Sequence, residues 1–417
     1  MTRTELVRRL SEPVDSASLR AFRLMFGVLL VGFLARTTQK GVIEHGFIEP
    51  KFFFHYFGLA LPSPGVYAYG CYAALALCAL GFALGKWPRV CAAAFCLGFT
   101  YLHFVDVTHY LNHYHLVTLL TALLALVPIG KSSVPRWVLA LFRFQIGVVY
   151  FFGGVAKLKH DWLFMAEPLR TWLPTNTEIP LLGPLFARPE TAFAMSWLGA
   201  AYDLSIPFAL SFRRTRPFAY VAVVVFHLLT ARLFQIGLFP WLMMVASLLF
   251  LAPDWPRRWF PRIAPFEPAQ YTLTTRTGAL LALYAAWQLL VPLRHWLYPG
   301  NVLWSEQGYR WAWNVMLMEK TGSAEFRVVE RGTGKQRTVF PRSILTRAQD
   351  KMMATQPDLI LQFAHELARR HGDVAVYADV WAVLNGRPAA RLVDPAVDLT
   401  RERDTLANKA WILPPPR

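Results

Sequence analysis

Apolar residues fall into long runs separated by short basic stretches, not into the narrow stripes or alternation of a soluble core. A helix needs about 20 mostly apolar residues to cross a bilayer. About nine runs approach that length, near 20–37, 64–85, 90–106, 113–130, 138–157, 191–212, 217–232, 233–252 and 277–297. Only Arg232 divides the seventh from the eighth. The aromatic stretch 42–61 is broken by Glu44, Glu49, Pro50 and Lys51, so it reads as an interfacial segment. After about residue 298 the pattern changes. EFRVVER and QRTVF around GTGK predict a β-hairpin, and DLILQFAHELARRH has a helical period. VAVYADVWAVL alternates like a strand and ends at the turn dipeptide Asn385-Gly386. The predicted fold class is a mainly α membrane protein, with about nine transmembrane helices over residues 1–298 and a small α+β extramembrane domain over residues 299–417.

Composition supports a membrane protein over two or three soluble domains. Hydrophobic residues make up 55% of the 417 and charged residues 17%, against about a quarter charged in soluble chains. The 31 Phe and 15 Trp exclude disorder, collagen and coiled coil. The four cysteines, Cys71, Cys78, Cys91 and Cys96, all lie in apolar runs and give no disulfide framework. The net charge of +17 fits loops obeying the positive-inside rule better than nucleic-acid binding, for which no motif is present. Arg3, Arg8, Arg9, Lys86, Arg89, Lys131, Arg136, Arg213, Arg214, Arg216, Arg257, Arg258, Arg262 and Arg276 fall on one side of the expected spans. The N-terminus is therefore expected in the cytoplasm and, with an odd span count, the C-terminal domain in the periplasm or lumen. The N-terminus carries no cleavable apolar segment, so insertion is expected to rest on the first span.

Ionisable residues inside spans are costly and point to function. YLHFVDVTHYLNHYHL brings His103, Asp106, His109, Asn112, His113 and His115 to the outer face. They read as the polar wall of a chamber or as interfacial histidines. No HExxH or similar spacing is present, and no metal is expected. Lys157 ends an apolar run after Gly153-Gly154, a pair that permits close backbone approach. It is either a snorkelling helix-end lysine or a general base, an amine kept neutral by low dielectric and a neighbouring cation, Lys159 or His160. His227, inside the seventh run, is either a core histidine bonded to a carbonyl or a donor to a developing oxyanion. Phe234, Phe239, Met243 and Met244 beyond it either wall a pocket for a flat lipid ring or simply pack. Asp203 is a candidate partner for a basic group in the bundle, with a structural role by default.

The order of these motifs resembles the vitamin K-dependent γ-glutamyl carboxylase family and its bacterial relatives, with their HTTM-type membrane domain. The carriers are EPVDSASLRAFRLMFG, the Asp106–Leu116 block with Asn112-His113, GGVAKLKHDW, FHLLTARLFQIGLF, GYRWAWNVMLM and VYADVWAVLNGRPAARLVDPAVDL. Asn314-Val315 replaces the family's Asp-Met, and the tail has no cysteine for the family's interdomain disulfide. The resemblance implies a bacterial inner-membrane enzyme whose catalytic lysine is Lys157. It would deprotonate vitamin K hydroquinone, or menaquinol, for reaction with O2. The strong base so generated would remove the γ-hydrogen of a glutamyl residue, and CO2 would add there. By the same resemblance His227, His113 and Asn112 orient or stabilise anionic species, and Phe239, Met243 and Met316 border the quinol. Tyr309, Trp313, Asp379, Trp381, Asn385 and Arg391 border a glutamate-containing peptide or protein. Membrane lipid is the surrounding partner and nucleic acid is not one. The alternatives are a quinol epoxidase without carboxylation, or a non-enzymatic quinone-binding or scaffold protein. Transport would predict inverted repeats and broken mid-membrane helices, and neither is seen.

Overall fold

A computed structural model describes residues 2–128, 132–260 and 265–416. Lys131 and Arg262, and the end of the fourth expected span, lie outside the described residues. The N-terminal helix α1 (Arg3–Ser11) leads into a short strand β1 (Pro13–Asp15), then α2 (Ala17–Gln39), α3 (Ala68–Leu84), α4 (Pro88–Phe104) and α5 (Asn112–Leu126). Strand β2 (Ser133–Pro135) pairs antiparallel with β1 and opens α6 (Arg136–Lys157). Three short helices follow, α7 (His160–Phe164), α8 (Leu169–Trp172) and α9 (Gly183–Phe186), then α10 (Pro189–Ser211), α11 (Arg216–Leu233), α12 (Phe239–Ser247), α13 (Trp255–Trp259) and α14 (Thr275–Leu290).

A helix stands at each expected span, but the expectation of nine full crossings is narrowed. Among the described residues four helical runs, those ending α2, α3, α6 and α11, are long and apolar enough to cross a membrane. At 1.5 Å per residue the 15 residues of α5 reach about 22 Å, short of an apolar layer of about 30 Å. The long α10 carries Glu190, Asp203 and Pro207. The seventh and eighth runs part not at Arg232 but over residues 234–238, where Gly237 takes φ +60°. The interfacial stretch forms one π-helical turn at Glu44–Ile48 and no span.

Helix ends gather at two poles. At one, Arg136 pairs with Glu12 at 2.7 Å, Arg257 with Asp15 at 2.5 Å, and Arg89 Nε donates to the Ala125 carbonyl at 2.9 Å. At the other pole sits the C-terminal region: α15 (Val302–Ser305), β3 (Lys320–Glu330), β4 (Gln336–Val339), α16 (Arg347–Met353), α17 (Pro357–His371), β5 (Val374–Leu384) and β6 (Ala390–Arg391). The strands form one antiparallel sheet in the order β4-β3-β5-β6. The expected hairpin is β3–β4, with Phe326 opposite Val339. The amphipathic α17 buries Leu359, Ile360, Phe363, Ala364 and Leu367, and Phe363 meets Phe326 edge-on at 4.9 Å.

Polar contacts hold the two regions together without a disulfide. Arg387 grips Asp161 through two nitrogens at 2.6 and 2.7 Å, and Asn385 Nδ2 donates to the same carboxylate at 2.9 Å. Gln349 Nε2 donates to Asp106 at 2.7 Å and to the Phe52 carbonyl at 2.8 Å.

Candidate functional site

Helix α6 sets Tyr150, Gly153 and Lys157 on one face, because residues four and seven apart return to the same side. Its neighbour α10 comes close because Gly154 has no side chain: a Cβ there would lie 2.8 Å from the Leu204 backbone nitrogen. That crossing brings Lys157 Nζ to 2.6 Å from Asp203 Oδ2, with the Gly153 carbonyl at 3.2 Å and the Trp162 ring centroid at 5.2 Å. Gly154→Ala is expected to push the helices apart at a cost of about 1–3 kcal/mol, the usual range for overpacking. Thermal unfolding of the purified variant measures it.

Two readings of Lys157 are settled by this geometry. Only 8% of its side chain is exposed, so it does not snorkel. The group directly against Nζ is a carboxylate; the expected cation, Lys159, stands farther off but near enough for the two charges to repel. Lys159 instead donates to the Ala156 carbonyl at 3.2 Å, and burial pushes its ammonium down to about 8. An ion pair survives burial only with close geometry and further hydrogen bonds, and both are present here.

His227, on α11, faces the same space and is 2% exposed. Its Nε2 lies 3.0 Å from the Tyr150 hydroxyl, which lies 3.1 Å from Ser247 Oγ. Its Nδ1 is buried with no partner among the described residues. The carbonyl-bonded core histidine is therefore not what the ring does. A buried polar atom left unpaired is costly and calls for an explanation, a catalytic role being one.

Lys157, Asp203, Tyr150, His227, Phe239 and Met316 line one cavity of about 80 Å³, with Trp162, Phe226, Phe234 and Val315. Ligand sites usually measure about 300–1,000 Å³. Polar groups and flat aromatic walls thus line a space smaller than the usual ligand site, with Met316, a side chain that adapts readily, on its wall.

The other expected site residues divide. Met243 is fully buried in the helix core and does not line the cavity. Nor do Asn112 and His113. The Asn112 amide accepts from the Tyr110 hydroxyl at 2.9 Å and donates to the Asn314 carbonyl at 2.9 Å, while the His113 ring lies 6.2 Å from Phe239. Tyr309 donates to that Asn314 carbonyl at 3.1 Å, and the Trp313 ring lies 5.4 Å from His115. These bonds brace a loop in which Glu306, Trp311, Trp313 and Met316 all take positive φ, a strained backbone of the kind that collects at functional sites. Asn385 is buried in the interdomain contact. Asp379 pairs with Arg391 at 3.0 Å, and Arg391 covers the Trp381 ring at 5.2 Å, on the exposed face of the sheet. No group of three His, Cys, Asp or Glu placed to hold a metal occurs among the described residues. Sequence reasoning missed Tyr150 and Ser247; the signal available was the seven-residue spacing of Tyr150 from Lys157.

No solved structure matches the chain. Residues 11–255 match the HTTM domain, and residues 274–417 match the lumenal domain of vitamin K-dependent gamma-carboxylase. The first match covers the bundle that holds Lys157, Asp203 and His227, and the second covers the braced loop and the sheet. A membrane-embedded bundle and a carboxylase lumenal domain, joined in this order, place the chain in the vitamin K-dependent gamma-carboxylase family.

Proposed function

We propose that the protein is a vitamin K-dependent γ-carboxylase of a bacterial inner membrane, crossing it nine times, with the N-terminus in the cytoplasm and residues 299–417 in the periplasm. The supporting observation is the joint presence of the Lys157–Asp203 pair and the unpartnered His227 Nδ1 in one cavity. Vitamin K hydroquinone, or menaquinol, supplies the reducing power whose reaction with O2 drives removal of a glutamyl γ-hydrogen, and CO2 takes the vacated position.

The chain's own part is proton handling and exclusion of water. The Lys157–Asp203 pair takes the hydroxyl proton, and its gained positive charge offsets the negative charge left on the ring oxygen. His227 Nδ1–H donates to that oxygen, a contact worth more in a dry site than in water. Phe226, Phe234, Phe239 and Met316 keep bulk water from quenching a strong base. Asn112, Tyr110 and Tyr309 act one step away, holding the 309–316 loop as the cavity's lid. The glutamyl side chain approaches over that loop from the extramembrane domain.

The test is purified protein with vitamin K hydroquinone, labelled bicarbonate and a Glu-containing peptide. Incorporated label together with quinone epoxide is expected. Epoxide without label would instead support quinol epoxidation alone. One observation favours that second reading: Asp379, Trp381 and Arg391 are engaged with one another on an exposed strand.

Tyr150 orients the His227 ring, so Tyr150→Phe is expected to lower kcat about tenfold with little change in KM. That is the loss of one buried hydrogen bond of about 1–1.5 kcal/mol. An unchanged kcat at unchanged Tm would remove Tyr150 from this role.

A further inference from the structure

A second cavity lies apart from the one that holds Lys157. It measures about 760 Å³, within the usual range of ligand sites, and shares no lining residue with the catalytic candidate. Its lower walls come from α4, α5 and α14: Thr100, Phe104, Leu111, Tyr114, Thr118 and Trp287. Trp287 and Leu290 on α14 are mostly exposed, so this side faces the apolar surface of the bundle, where lipid lies.

The upper walls are charged, and all but one of the charges are matched. Arg310 pairs with Asp358 at 2.5 Å, Lys320 with Glu306 at 2.9 Å, and Lys409 with Asp404 at 4.0 Å. Arg294 is the exception. Its guanidinium donates to the carbonyls of Val291 and Arg310 and lies 5.3 Å from the Trp311 ring, with no carboxylate against it among the described residues. His55, in the same cavity, has a buried Nδ1 with no partner among the described residues. Arg294 stands just beyond the outer end of α14, at the height of headgroups if α14 spans the membrane.

An apolar shaft at membrane level beneath one unmatched guanidinium is complementary to an amphiphile with one negative charge. We infer that this cavity binds an anionic phospholipid, its acyl chain along Phe104, Tyr114 and Trp287 and its phosphate on Arg294. The inference does not depend on the carboxylase reaction. It does bear on it, because Arg310 and Trp311 line this cavity while Val315 and Met316, in the same strained loop, line the other. A lipid seated here braces the loop that closes the catalytic cavity.

The experiment uses the full-length protein, delipidated in neutral detergent. Phosphatidylglycerol, phosphatidylcholine of the same acyl chains, and inorganic phosphate are added separately, and bound lipid is read by native mass spectrometry beside Tm. Phosphatidylglycerol is expected to bind about tenfold more tightly than phosphatidylcholine and to raise Tm by several degrees, with inorganic phosphate giving no shift. Arg294→Gln removes the preference, a tenfold loss being one charge-assisted contact. Thr118→Phe leaves Arg294 in place, fills the shaft and lowers binding of both lipids. Equal retention of the two lipids by the wild type would overturn the proposal. So would a headgroup preference surviving both variants, or an equal response to inorganic phosphate.

Discussion

Replacing Lys157 by Ala is expected to lower epoxide formation from vitamin K hydroquinone by about a thousandfold, the middle of the range for losing a general base. A small amine added to the assay restores part of it, because the lost methylenes leave space beside Asp203. The same substitution strands a buried carboxylate, and breaking such a pair costs about 3–5 kcal/mol. Loss of activity alone therefore does not separate a base from a strut. Lys157→Met combined with Asp203→Asn does: the neutral pair recovers Tm and stays inactive. Asp203→Asn alone assigns the proton. Turnover persists if the amine is the acceptor and disappears if the carboxylate is. Wild-type-like epoxide formation in Lys157→Ala would contradict the proposed site as a whole.

Much of this site is legible in the sequence because ionisable groups in apolar runs have few explanations. Lys157, His227 and Asp203 stand out on that ground alone. The pairing of Lys157 with Asp203 is not legible. The two are 46 residues apart, and their meeting depends on how closely α6 and α10 cross at Gly154. The expected cation near Lys157 follows from sequence proximity; Lys159 is close enough to repel it, while its ammonium bonds a helix-end carbonyl. Tyr150 and Ser247 carry no charge and look like ordinary bundle residues until the third helix, α11, presents His227 to them. In the C-terminal domain the alternation of β5 locates the strand correctly. That same alternation buries Val380 and Ala382 and turns Asp379 and Trp381 outward, away from the membrane bundle's cavity. Motif identity finds such residues, but which face they occupy follows from register. Helix ends are also poorly marked. An apolar run says that a segment avoids water, not that its helix is as long as the run, and α5 is the clearest case.

Arg387→Ala is expected to destabilise the protein by about 3–5 kcal/mol, because it leaves the Asp161 carboxylate buried with only Asn385 against it. Asp161 is 4% exposed and sits where the helical bundle meets the sheet domain. Burial alone raises its pKa, but the hydrogen bonds from Arg387 and Asn385 outweigh that and hold the carboxyl below its usual range. A carboxyl lowered in the folded state stabilises fully above its unfolded pKa, about 3.9. The contribution disappears as pH falls through the lower folded value. Unfolding of the wild type should therefore show no loss of this contact between pH 5 and 8, and a loss below about pH 4. Arg387→Ala should flatten that acid limb, and Asp161→Asn should flatten it too while retaining the bond from Asn385. With Asp161→Ala added to Arg387→Ala, the double variant should be more stable than the two single losses summed, by a coupling of about 0.5–3 kcal/mol. The chain has no cysteine in its tail, so this contact and the Gln349–Asp106 bond take the place of a covalent tie. Protease then separates the sheet domain from the bundle faster in Arg387→Ala, and a cleavage rate equal to wild type would show that apolar packing alone holds the two together.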